Sequence, residues 1–124
     1  MSSANGGDGR PDPTTSHAAA LPYLTQYEQN GVRVVVVHGA FDLNSGPVLA
    51  SALQDAATTH TTVVVDAAGF TFADSTVVNV LLHFHRVHRL RVARPAHQFL
   101  RMLEMTGADR VLDIRPTVED ATAP

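Results

Sequence analysis

Apolar and polar positions change rhythm several times along the chain. From residue 21, "YLTQYEQNGVRVVVVHG" holds two strand-like runs around Asn30-Gly31. Asn-Gly accepts positive φ at both positions, so a tight hairpin is expected there. The second run, "VRVVVVH", is β-branched and nearly unbroken, which suits a strand buried on both faces. "NSGPVLASALQDAAT" then reads as a helix. Asn44 or Ser45 is available as its cap, Pro47 suits its first turn, and Leu49, Ala52, Leu53 and Ala56 share a face. "TTVVVDAAG" is a third strand, with Asp66 expected to end it and start a turn. A second helix follows over about residues 75–87. Val77, Val80, Leu81 and Phe84 form its apolar stripe, with Val78 and Leu82 adjoining. "RLRVAR" is a fourth strand. "PAHQFLRMLEMTG" is a third helix, with Pro95 at its start, Phe99, Met102 and Leu103 on its inner side and Gly107 as a left-handed stop. "RVLDIR" is a fifth strand and "TVEDATA" a short last helix. The order ββαβαβαβα predicts an α/β fold: a mixed five-stranded sheet with helices packed on it.

Residues 1–20 lack this periodicity. They are rich in Gly, Pro, Ser, Thr and Asp and read as a disordered tail. That leaves residues 21–124 as one domain, large enough for a single modest core. The net charge of −3 argues against nucleic acid as a partner, because phosphate binding needs a clustered positive field. The absence of Cys excludes disulfides, thiolate metal sites and Cys nucleophiles. No apolar run approaches a membrane span and the start of the chain carries no signal pattern, so a soluble cytoplasmic protein is expected.

Candidate chemistry is sparse. His83, His85 and His88 lie close in sequence, but His83 and His85 point apart on a helix and no carboxylate supports them, so no metal site is expected. They instead suit the negative end of the second helix. Asp42, Asp66 and Asp74 raise the question of paired carboxylates, yet no triad order, phosphate loop or dinucleotide motif accompanies them. Neither an enzyme nor a cofactor is expected. Arg86, Arg89, Arg91 and Arg94 make a basic run, and an acidic partner or plain solvation explains it better than nucleic acid.

The informative stretch is Asp74-Ser75-Thr76, placed where the second helix begins. Taken locally, these are ordinary helix caps, worth about 1 kcal/mol. Taken chemically, they put an orientable hydroxyl beside a carboxylate at a helix mouth. From there Asn79, His83 and Arg86 recur at i, i+4 and i+7 as a polar stripe, either a partner surface or a solvated face.

Together with the element order, "HGAFDLNSGPVLASAL", "VVVDAAGFTFADST" and "PAHQFLRMLEMTGADRVLDI" resemble a STAS domain over about residues 21–121. This family contains bacterial anti-sigma-factor antagonists and the cytoplasmic domains of sulfate transporters. Its Gly-Glu-Leu-Asp-like turn corresponds here to Gly39-Ala40-Phe41-Asp42, and its Asp-Ser-Ser-Gly-like motif to Asp74-Ser75-Thr76-Val77. What the resemblance implies is specific. In the antagonists the Ser after that Asp, Ser75 here, is phosphorylated by an anti-sigma factor with kinase activity. The unmodified protein binds that factor, phosphorylation breaks the complex, and a metal-dependent serine phosphatase restores it. Ser75 is then the phosphorylation site, with Asp42 and Asp74 on the same partner-binding surface; Thr76 and the stripe of Asn79, His83 and Arg86 are expected to extend that surface, with a solvated face as the alternative for the stripe. Three departures stand out. Val77 and Asn79 replace family glycines, which narrows or alters the partner set. The segment between Asp74 and Pro95 is several residues short, so the second helix must end near residues 86–88 or the fourth strand must be short. Ala40 replaces a common acidic residue. The rival expectation is a STAS-fold module without a phospho-switch, such as a scaffold or a lipid-transport accessory subunit.

Overall fold

The computed structural model describes residues 21–124; the expectation for residues 1–20 lies outside the described residues. Five strands form one sheet in the order β1-β2-β3-β4-β5, namely Tyr23–Gln29, Val32–Phe41, Thr62–Ala73, Arg89–Ala93 and Asp113–Arg115. β1 runs antiparallel to β2 and the remaining pairs are parallel. The hairpin is closed by Asn30 at φ 55° and Gly31 at φ 76°, as the dipeptide predicts. Four helices complete the fold: α1 (Gly46–Ala57), α2 (Ser75–Val87), α3 (His97–Thr106) and α4 (Val118–Thr122).

This topology decides which face of the sheet is covered. Strands β2 to β5 advance in one direction, and right-handed crossovers then put every connecting helix on the same side. The main core lies on that side. It joins Val35, Val37, Val63 and Val65 from the sheet to Leu49 and Leu53 of α1, Val77, Val78 and Leu81 of α2, and Phe99 and Leu103 of α3. Each such buried side chain contributes about 1.5–3 kcal/mol through removal from water. Phe41, Phe70 and Phe99 meet in sequence, with centroids 5.5 and 4.7 Å apart. The opposite face carries a smaller cluster of Val32, Val34, Val64 and Ala93, which only α4 covers, through Val118 and Ala121. β2 is therefore buried on both faces near its start, as its β-branched run predicts.

Two expectations need correction. Asp66 does not end a strand; it lies inside β3, which continues to Ala73. Beyond Asp66, β3 follows β2 with two register shifts, so that Val36 faces Asp66, His38 faces Gly69, Ala40 faces Phe72 and Phe41 faces Ala73. Each shift spends an extra β3 residue as a bulge, which hid the strand's alternation. Asp66 is 2 % exposed and is paired at both oxygens, with Nε and Nη2 of Arg94 each at 2.9 Å. Arg94 holds a left-handed φ of 37°, and its N–H bonds the Arg115 carbonyl at 2.8 Å. The pair raises the Arg94 pKa, first through the hydrogen bond to Asp66 and then through its charge. The carboxylate is thereby spent in fixing the bulge and the connection that leads into α3.

The fifth strand is also shorter than expected. After Gly107 stops α3 at φ 80°, Ala108–Arg110 form a 3-10 turn, and only Asp113–Arg115 pair with β4. The short Asp74–Pro95 segment is resolved both ways at once, since α2 ends at Val87 and β4 has five residues starting at Arg89. Half of the basic run is structural. Arg91 donates to the carbonyls of Ala121 (2.8 Å) and Ala123 (3.0 Å), clamping α4 to the sheet, and Arg94 belongs to Asp66.

The bulge at Gly69 gives a direct test, because a Cβ there would overlap the Val37 carbonyl oxygen. Gly69→Ala is expected to lower unfolding stability by about 2 kcal/mol or more, measured by urea denaturation.

Candidate functional site

The site is set by strand ends. Phe41 pairs with Ala73 in the parallel β2–β3 register, so the next residues, Asp42 and Asp74, leave the sheet side by side. Each precedes a helix, and each orders the backbone there with its own carboxylate. Asp42 Oδ1 accepts the N–H of Asn44 at 2.9 Å, the N–H of Ser45 at 3.2 Å and the Ser45 hydroxyl at 3.1 Å. Its carbonyl accepts the Gly46 N–H at 2.8 Å. Ser45 occupies the N-cap position of α1, yet its side chain does not cap the helix. Its oxygen instead accepts the Asp42 N–H at 2.8 Å. The turn is thus organised by Asp42, where the sequence suggested Asn44 or Ser45. Those backbone N–H groups, from Ser45 first and Asn44 next, hold the Asp42 carboxyl below its ordinary pKa.

At the neighbouring strand end, Asp74 has extended backbone and caps α2, accepting the Thr76 N–H at 2.9 Å. Because Asp74 does the capping, Ser75 becomes the first residue of the helix. It is exposed, and its hydroxyl makes no hydrogen bond among the described residues. The local reading of the tripeptide and the chemical one therefore fall on different residues: the cap is Asp74, and Ser75 is left over.

Thr76 is half-buried and turned toward α1. A Cβ on Gly46 would lie 3.1 Å from the Thr76 Cγ2 methyl, so the first turns of α1 and α2 close on each other through these two residues. Farther along, the helices diverge into a groove of about 450 Å³ lined by Ala50, Gln54, Asn79, Val80, His83 and Val87, among others. Asn79 and His83 thus share one concave surface with Thr76. Arg86 is exposed nearer the end of α2 and does not line it. On the other side of the α2 start, Ser75 lines a second groove of about 590 Å³ with His97, Gln98, Arg101, Met102 and Met105 of α3. Met105 is 81 % exposed, and Phe72 on the adjoining end of β3 is 55 % exposed. Ser75 and Thr76 therefore stand on a ridge between two partly apolar grooves.

The two departures on α2 have different consequences. Val77 is fully buried against the core, so its bulk faces inward and not toward a partner. Asn79 is exposed and does face outward. Val78, expected only to adjoin the apolar stripe, is buried, while Val80 and Leu82 are half-buried. Among the described residues no cluster of three or more His or carboxylate groups is placed to hold a metal ion. His88 packs against Phe84 in a tilted arrangement, with ring centroids 4.6 Å apart.

A family model described as "Mlab, STAS domain" matches residues 25–115. The chain belongs to the STAS domain family. Its fold is similar to that of an anti-sigma factor antagonist from Mycobacterium paratuberculosis, with a TM-score of 0.75 and 23 % identity, covering 82 % of this chain and 92 % of that one. It is also similar to the anti-sigma factor antagonist SpoIIAA in its unphosphorylated form, with a TM-score of 0.67, 17 % identity and coverage of 80 % and 92 %. The phosphorylated form of the Bacillus cell fate determinant SpoIIAA aligns with a TM-score of 0.61, 17 % identity and coverage of 80 % and 96 %. No curated protein matched the chain. For this STAS domain, sequence reasoning overlooked Arg101 and Met105 beside Ser75. The i, i+4, i+8 series His97, Arg101, Met105 was the available signal.

The depressed Asp42 carboxyl carries a pH signature. A lowered folded-state pKa contributes stability above the unfolded value of about 3.9, and this is lost as pH falls through the folded value. Asp42→Ala is expected to unfold at lower urea than wild type at pH 7, with the gap shrinking below about pH 4.

Proposed function

We propose that this STAS domain is an anti-sigma-factor antagonist that docks on an anti-sigma factor with kinase activity and is released when that kinase phosphorylates Ser75. The observation that carries the reading is the exposed, uncommitted hydroxyl of Ser75 beside Asp74, which already caps the helix, and near Asp42, which is committed to its own turn. A kinase can reach such a group, and the fold does not need it. The docking surface would take in Asp42, Asp74, Asn79, His83 and Arg86, with Thr76 holding the two helix starts together. The domain itself would be a substrate and would catalyse nothing, in the cytoplasm, with a metal-dependent serine phosphatase restoring the docking form.

Phosphorylation adds a charge of about −1.5 to −2 at neutral pH. Asp42 and Asp74 lie at the same rim, so the new anion joins an acidic cluster at the centre of the interface. Desolvating it against a partner shaped for a neutral hydroxyl costs several kcal/mol. The start of α2 can meanwhile accommodate the phosphate, because the helix dipole favours an anion there. The complex is lost and the domain stays folded.

A second reading, an interaction module without a phospho-switch, is favoured by two observations. The matching family model carries the description Mlab and not that of an antagonist. Asn79 also puts bulk on the outward face, where the family's antagonists keep glycine. Such a module could be a scaffold or a lipid-transport accessory subunit.

Pull-down from the native cell with wild type, Ser75→Ala and Ser75→Glu distinguishes them. An anti-sigma kinase should follow wild type and Ala, with Glu weakened by about thirtyfold, equivalent to about 2 kcal/mol. Equal recovery by all three supports the module without a switch.

A further inference from the structure

The geometry points to Arg101 as the group that captures a phosphate placed on Ser75, an inference that rests on the reading of Ser75 as a modified residue. Ser75 and Arg101 line the same groove, approached from different helices. His97 lines it too, one turn before Arg101 on α3. No Asp or Glu lines that groove. Arg91, Arg94 and Arg115 are all engaged in ion pairs with Asp66 or Asp113. Arg101 is engaged in none among the described residues, and it is exposed.

A guanidinium presents a planar fork that meets two phosphate oxygens at once. The groove's other contributors include Met102 and Met105, which keep part of its wall apolar and strengthen such a pair. The groove on the far side of the ridge offers Asn79 and His83 but no Arg. A phosphate on Ser75 is therefore drawn toward α3. Arg101 then lies across the groove mouth, so modification closes an apolar surface as well as adding charge.

The test uses the full chain with phosphoserine installed at position 75 during translation, and follows the phosphate by phosphorus NMR against pH. An exposed phosphoserine loses its second proton near about pH 6. Asp42 and Asp74 at the same rim raise it and an adjacent fixed cation lowers it, so the wild-type value is expected to lie about one unit below that of Arg101→Ala. Arg101→Lys should lie between the two, and Arg110→Ala should match wild type. Equal values in wild type and Arg101→Ala, or an equal rise with Arg110→Ala, overturn the assignment. Circular dichroism of each variant confirms folding, which the exposed position of Arg101 favours. Since no kinase is involved, the outcome stands apart from whether a cellular kinase modifies Ser75; incubation of the plain chain with kinase and ATP decides that separately.

Discussion

The parallel register between β2 and β3, with Phe41 opposite Ala73, is the constraint on which the site depends. It delivers two carboxylates to adjacent strand ends, where Asp42 orders the turn before α1 and Asp74 caps α2. The two helices start so close together that the residue opposite Thr76 carries no side chain. The register is reached only because β3 absorbs two extra residues as bulges, and Gly69 makes the first of these possible by admitting the Val37 carbonyl. A slip of one residue would reverse which side chains face the core. It would also part Asp42 from Asp74.

Division of labour at these helix starts explains how a regulatory group can coexist with a stable fold. The backbone N–H groups that a helix leaves unpaired are costly if buried without partners. Asp42 and Asp74 satisfy several of them, and Ser45 is used up in bracing the Asp42 turn. The Ser75 hydroxyl makes no hydrogen bond among the described residues. The grooves on either side of it are shallow and partly apolar, which suits the docking of a protein surface better than the enclosure of a small substrate.

Much of this was legible in the sequence. The hairpin followed from Asn30-Gly31, the element order from switches between periods of two and 3.6, and the left-handed stop of α3 from Gly107. The placement of Ser75 at the start of α2 was legible too, through the apolar stripe that follows it. What escaped depended on partners distant in sequence. Asp66 read as a turn residue because its partner, Arg94, is 28 positions away. Arg91 read as solvated because the carbonyls it holds belong to the last helix. The bulges in β3 broke the alternation that would have marked its second half. Val77, expected on the apolar stripe of α2, is in the core, so its replacement of a family glycine does not face a partner. Arg101 shares a face of α3 with His97 and Met105, but it was overlooked because nothing in the sequence ties that face to the start of α2.

The central claim is that the site is held together by the contact of the two helix starts at Gly46 and Thr76. A double-mutant cycle in urea unfolding tests it most directly. Gly46→Ala should cost about 1 kcal/mol in the wild-type background, because the added methyl meets the Thr76 methyl. In a Thr76→Ser background, where that methyl is gone, the cost should largely vanish. An equal cost in both backgrounds would show that the helix starts do not press on each other, and that another feature of the fold holds Ser75 in its place.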